Sequence, residues 1–175
     1  FTGAHVHKRG LIEEADGGTL LLDDIGEAPE ALQVRLLRFL DNGKFRRIGE
    51  VQERTSDVRI LAATNRNLEE SLAQGTFRED LFYRLTVAVI DIPPLRRRRE
   101  DIVALRRHFL GKYSKKMGKE GVQFHPETMS RFQDYSWPGN VRELENAIEH
   151  ALIVCDSDVI KTEHLSGKIV REKEK

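Results

Sequence analysis

Gly17-Gly18-Thr19-Leu20-Leu21-Leu22-Asp23-Asp24 is the stretch whose reading decides the fold. Two glycines signal a turn, an unbroken apolar run follows, and two acids close it. A continuous run, rather than strict alternation, reads as a strand covered on both faces, as in a parallel α/β sheet. Two more runs share the pattern, Val58-Arg59-Ile60-Leu61-Ala62-Ala63-Thr64-Asn65 and Val87-Ala88-Val89-Ile90-Asp91-Ile92. They are expected to be the second and third strands.

Helical patterns fill the gaps. From Pro29 to Asp41, Leu32, Leu36, Leu37 and Leu40 share one face, and Pro29 suits a first helical turn. Asn42-Gly43 ends that helix, and the stretches Phe45 to Ile48 and Val51 to Thr55 fit a small hairpin. Asn67 to Gln74 reads as a short helix closed by Gly75. Strand, helix, strand, helix, strand is the α/β order. Pro93-Pro94 marks a boundary, after which the pattern turns all-helical. Ile102, Leu105, Phe109 and Leu110 form one stripe, and His125-Pro126 opens a helix running to about Tyr135. A last helix follows Trp137-Pro138-Gly139, with Asn140 as expected N-cap, Glu143 completing a capping box, and a stripe of Leu144, Ile148, Leu152 and Cys155. From Val170 to Lys175 the chain reads as a frayed charged tail.

Composition narrows the class. The 175 residues are 39% hydrophobic and 33% charged, which fits a charge-rich globular protein with a real core. Basic and acidic residues balance at 29 each, so nothing draws the whole chain to nucleic acid or an anionic membrane. The single cysteine, Cys155, has no internal partner and reads as a small buried hydrophobe in a reducing cytosol. No apolar run approaches the 18 residues of a membrane span and no leader is evident, so a soluble, cytoplasmic protein is expected. Phe1-Thr2-Gly3-Ala4 has neither Met nor leader, and reads as the start of a segment from a longer chain.

Several residues could carry chemistry, and each has a plainer reading. Asp23 and Asp24 end a buried strand, at the carboxyl edge where α/β sheets bind ligands. One acid there can hold magnesium through its water shell and the other can orient a water; the plainer reading is an acidic N-cap. Thr64-Asn65 ends a second strand, on the same edge if the strands pair in parallel; an amide there can reach a phosphate oxygen, or simply form a turn. Arg78 and Arg84 offer permanently charged planar forks suited to a transferring phosphate. Taken locally, an exposed basic pair bridging to Glu79 and Asp80 is the better account of them. Arg142 stands in the first turn of a helix, where a cation is unfavourable, which points to an anion met there. The run Arg96 to Arg99 is followed at once by Glu100 and Asp101 and reads as a solvated connector rather than a DNA contact. The histidines, with His5 and His7 two apart, form no metal pattern.

Together these segments resemble the central domain of sigma-54-dependent transcriptional activators, the bacterial enhancer-binding proteins, from Phe1 to about Leu165. Phe1-Thr2-Gly3-Ala4 resembles the end of the family's GAFTGA loop, and Gly17 through Glu27 its Walker B segment. Ala63-Thr64-Asn65 looks like sensor I, Phe77-Arg78-Glu79-Asp80-Leu81 through Arg84-Leu85 the arginine-finger segment, and Pro93-Pro94-Leu95-Arg96 the hinge to the helical lid. Trp137-Pro138-Gly139-Asn140-Val141-Arg142-Glu143-Leu144 is similar to sensor II.

The resemblance implies an AAA+ α/β subdomain over residues 1–94, a helical lid over 95–168 and a tail over 169–175. It implies ATP and magnesium as cofactors. Asp23 would handle magnesium, Asp24 would stand in place of the water-activating Glu, and Thr64 and Asn65 would meet the terminal phosphate. Arg142 would contact nucleotide from the lid, and Arg78 and Arg84 would act in trans within a ring, typically a hexamer. Phe1, Thr2, Gly3 and Ala4 would contact sigma-54, so that hydrolysis remodels the closed complex of RNA polymerase at the promoter. DNA binding would belong to a domain outside this chain.

Two departures matter. Asp24 is one methylene shorter than Glu, and no Gly-x-x-x-x-Gly-Lys-[Ser/Thr] occurs, so this chain alone is expected neither to hydrolyse ATP nor to fold as stably as the whole module. The competing reading is a non-hydrolysing regulator that binds sigma-54 or a ring; a third, direct DNA binding through Arg96 to Arg99, would need salt-dependent duplex affinity.

Overall fold

The computed structural model describes residues 9–47 and 49–171; Phe1 to Ala4 and the last four residues of the tail lie outside them. The chain divides into two compact units, Phe1–Ile90 and Asp91–Lys175.

In the first unit a short helix α1 (Leu11–Glu14) leads into strand β1 (Thr19–Leu22), and β4 (Arg59–Ala62) lies beside it in parallel. Leu20 faces Ile60 and Leu22 faces Ala62 across the pair. Helix α2 (Glu30–Asn42) begins after Pro29, its N-cap rather than a helical residue. It stops at Gly43, whose φ of 66° admits the left-handed turn that returns its N–H to Phe39. The expected hairpin is present as β2 (Lys44–Phe45) against β3 (Arg54–Thr55). Helix α3 (Leu68–Ala73) is capped by Asn67, whose side chain accepts from the N–H groups of Glu69 and Glu70. Helix α4 (Glu79–Leu85) completes the unit. Ile25, Leu36, Phe77 and Leu81 are its buried core, joined by Leu22, Leu37, Leu40 and Phe82.

Three expectations give way here. Val87 to Ile92 form no strand, and Val87, Val89, Ile90 and Ile92 are exposed between 71% and 87%. A strand persists only where a neighbour pairs its backbone, and among the described residues β1 and β4 are each other's only partners. For the same reason the strands are not covered on both faces, since Leu21 is 61% and Leu61 46% exposed. Third, Leu32 is half exposed; Leu36, Leu37 and Leu40 do pack on the core, and Gln33 and Phe39 are buried beside them.

The second unit is helical. Helices α5 (Glu100–Met117), α6 (Pro126–Asp134) and α7 (Asn140–Val154) enclose a core of Leu95, Ile102, Phe109, Tyr113, Phe132, Trp137, Leu144, Ile148, Leu152 and Cys155. Two-residue strands β5 (Gln123–Phe124) and β6 (Val159–Ile160) pair in parallel. Lys119 donates to the carbonyls of Leu152 and Cys155 at 2.8 and 2.7 Å, satisfying the open end of α7. Cys155 is buried, as its place in the stripe suggested. The charged-tail reading fails at its start, because α8 (Gly167–Arg171) is helical and buries Ile169. No helix among the described residues is long and apolar enough to cross a membrane.

Candidate functional site

Parallel pairing delivers two strand ends to one edge. Beyond the sheet the chains stay laced: Ala63 N–H donates to the Leu22 carbonyl at 2.8 Å, and Ile25 N–H to the Ala63 carbonyl at 3.0 Å. Asp23 and Asp24 therefore emerge beside Thr64 and Asn65, with both acids and Asn65 exposed and Thr64 half-buried. Asp24 has φ 54° and ψ 39°, a left-handed conformation that Asp tolerates better than most residues. Its N–H lies 3.1 Å from Asp23 Oδ1, and the reversal ends the strand and starts a 3-10 turn over Ile25–Glu27. Strain of this kind gathers at functional sites, where the surroundings over-determine the backbone.

Gly26, within the Gly17 to Glu27 segment, sits in close contact with the second strand end. A Cβ there would stand 2.6 Å from Thr64 Oγ1 and 3.1 Å from Arg66 Cβ. The Thr64 hydroxyl is already committed, accepting the Arg66 N–H at 3.1 Å, and Arg66 pairs with Glu27 across the edge. Gly26→Ala should displace Thr64 and cost about 1–3 kcal/mol, the usual range for overpacking. The measurement is chemical denaturation of the variant beside the wild type; an unchanged midpoint would show the edge to be looser than its contacts imply.

Arg78 and Arg84 bracket α4. Arg78 is the N-cap residue, and its guanidinium forms a fork on Asp80, Nε to Oδ1 at 3.0 Å and Nη2 to Oδ2 at 2.7 Å. That hydrogen bond holds the Asp80 carboxyl below the usual carboxylate range, outweighing the opposing effect of desolvation, with the Leu81 N–H adding to it. Arg84 reaches Asp41 of α2 at 2.7 Å. The local expectation of acids beside these arginines is met for Asp80 but not for Glu79. Both guanidinium groups remain substantially exposed.

In the second unit the segment before α7 is held in two left-handed residues, Trp137 at φ 50° and Asn140 at φ 53°. A bulky residue there is a real outlier, and Trp137 is kept in place by full burial and a 2.8 Å bond from Nε1 to the Phe132 carbonyl. The expected N-cap role of Asn140 is overturned. Its left-handed backbone carries the side-chain oxygen to the Leu95 N–H at 2.8 Å instead, and Gly139 occupies the cap with no side-chain bond. Glu143 does reach back, accepting the Gly139 N–H at 2.8 Å and the Tyr135 hydroxyl at 3.0 Å. Arg142, in the first turn, is exposed, and among the described residues of its own unit no acid pairs with it.

The donor set at the strand edge is hard oxygen, which suits magnesium. Among the described residues no group of three or more His, Cys, Asp or Glu is gathered to hold an ion.

Comparison with known proteins bears on what such an edge serves. A family model described as "Sigma-54 interaction domain" matches residues 1–91, and one described as "AAA+ ATPase lid domain" matches 96–175. The regulatory protein AtoC of Escherichia coli is 50% identical over 169 residues, 97% of this chain and 37% of the relative. The alginate biosynthesis transcriptional regulatory protein AlgB of Pseudomonas aeruginosa is 48% identical over 165 residues, 94% of this chain and 37% of the relative. The chain thus spans little more than a third of the length of these curated relatives. Crystal structures of NtrX from Brucella abortus superpose well: the ADP complex with TM-score 0.87 at 38% identity, covering 93% of this chain and 38% of that one, and the ATP complex with TM-score 0.85, covering 91% and 38%.

Proposed function

The chain belongs to the family of sigma-54 interaction domains with an AAA+ lid, and from that premise we propose that it is part of an ATP-dependent activator of sigma-54 RNA polymerase. The observation that carries the reading is the parallel register, which brings Asp23 and Asp24 beside Thr64 and Asn65 on one exposed edge. That is where open α/β sheets take their ligands.

Each residue then has a task suited to its chemistry. Asp23 supports magnesium through water, and the ion, when bound, neutralises charge on the phosphates. Asp24 orients the attacking water and accepts its proton. Asn65 hydrogen-bonds a phosphate oxygen, and Thr64 fixes the turn that presents it. Arg142, exposed in the first turn of α7, meets the nucleotide at a helix N-terminus already favourable to anions. Arg78 and Arg84, exposed at the two ends of α4, serve the neighbouring subunit of a ring, which we take to be a hexamer. Phe1, Thr2, Gly3 and Ala4 make the contact with sigma-54.

A second reading has one observation in its favour, the shorter Asp24 where a water-activating Glu is expected. On it the protein binds sigma-54 or a ring without hydrolysis. The full-length gene product, sigma-54 holoenzyme and a sigma-54 promoter separate the two. Promoter opening that needs ATP and stops with a non-hydrolysable analogue is the expected result; opening, or inhibition, indifferent to the analogue favours the second reading.

A further inference from the structure

Gln33 sits in the middle of α2 with 1% of its surface exposed, in a helix whose neighbouring inward positions are Leu36 and Phe39. A buried amide must find its partners, and this one finds three. Its Nε2 donates to the Ala28 carbonyl at 2.8 Å and the Thr76 carbonyl at 3.1 Å, and its Oε1 accepts the Arg78 N–H at 2.9 Å. Ala28 closes the 3-10 turn that begins at Asp24. Thr76 and Arg78 flank the buried Phe77 at the start of α4.

One side chain therefore ties the loop that carries the two acids to the backbone of the residue that carries the exposed arginine. Arg78 is an N-cap without a side-chain cap of its own, so its N–H is oriented by Gln33 rather than by the helix. Among the described residues the Arg78 guanidinium hydrogen-bonds only Asp80, an exposed neighbour two residues on. Its placement as a whole depends on where the peptide is pinned.

We propose that Gln33 is a positioning residue for Arg78, setting the reach of that arginine toward an anionic nucleotide on a second copy of the chain. The proposal rests on the reading of Arg78 as a trans-acting group. Gln33 touches no nucleotide. Removing its amide frees the Arg78 peptide, and displacement of a reacting group by about 1 Å can cost on the order of 100-fold in rate. Gln33→Met keeps the bulk and removes the three bonds.

The test uses the full-length gene product, with folding of each variant verified by circular dichroism. Gln33→Met is expected to lower kcat for ATP on the order of 100-fold with KM nearly unchanged. Mixed with Asp23→Ala subunits, whose arginines are intact, it should recover turnover well above the sum of the two alone, because the defect lies in what Gln33→Met gives its neighbour. A structural role alone would not be complemented. Wild-type kcat, a raised KM with kcat retained, or a loss that stays uncomplemented overturns the proposal. Should Gln33→Met fail to fold, Gln33→Leu, which likewise removes the acceptor for the Arg78 N–H together with the donations to Ala28 and Thr76, is judged by the same two readouts. Arg78→Ala distinguishes the levels. If it leaves turnover intact, the trans reading itself fails; if it abolishes turnover while folded Gln33→Met does not, only the role of Gln33 fails.

Discussion

Arg78→Ala in the full-length gene product should reduce ATP turnover on the order of 1,000-fold, the lower end of what an arginine finger supplies. The same change should leave stability nearly untouched. The fork to Asp80 is exposed, and exposed ion pairs add little to folding. Asp80 gains no new burden either, since the Leu81 N–H still donates to it at 2.8 Å. A large rate effect without a stability effect marks a residue that works on the nucleotide rather than on the fold. Arg78→Lys should fail almost as badly, because a point charge cannot reproduce a planar fork. Steady-state turnover beside a thermal melt checks both halves. Turnover within a few-fold of wild type would return Arg78 to the plain reading of a surface pair.

The second large effect runs in the opposite direction. Asp24→Glu lengthens the carboxylate by one methylene and should raise turnover by as much as about 100-fold, the scale on which a misplacement near 1 Å matters. A small stability loss should accompany the gain, because Asp24 is left-handed and Asp accepts φ 54° more readily than Glu. Faster hydrolysis in a slightly less stable protein is therefore the expected pairing. No gain in turnover would remove reach as the explanation for Asp24 and strengthen the non-hydrolysing alternative.

The fold was legible where the chain supplies both partners of a contact. The apolar runs at Thr19–Leu22 and Arg59–Ala62 pair as read, and their acids and amide share an edge because the pairing is parallel. Val87 to Ile92 has the same composition and no strand, because apolar side chains describe what a strand packs against and not who pairs with its backbone. Asn140 misled for a conformational reason. Its position before an apolar helix is that of a cap, but a positive φ redirects the amide to Leu95.

Gln33 was missed because a polar residue within a helix is ordinarily assigned to solvent. A signal was available. Gln33, Leu36, Leu37 and Leu40 stand at the i, i+3, i+4, i+7 spacing of a buried stripe, and the glutamine occupies its first place. Why that place needs an amide could not be read, since Ala28 and Thr76 lie 5 and 43 residues away in sequence and meet it only through the fold. The place of Arg142 in a helix first turn was legible, whereas nothing local marked Gly26, whose constraint comes from Thr64 on another strand end.

A crystal structure of the full-length gene product with magnesium and a non-hydrolysable ATP analogue tests the central claim most directly. Asn65 should lie within hydrogen-bond reach of the terminal phosphate, with Asp24 beside the attacking water and Asp23 a single water from the ion. A nucleotide seated away from the carboxyl ends of β1 and β4, or contacts that leave these three side chains uninvolved, would contradict the account.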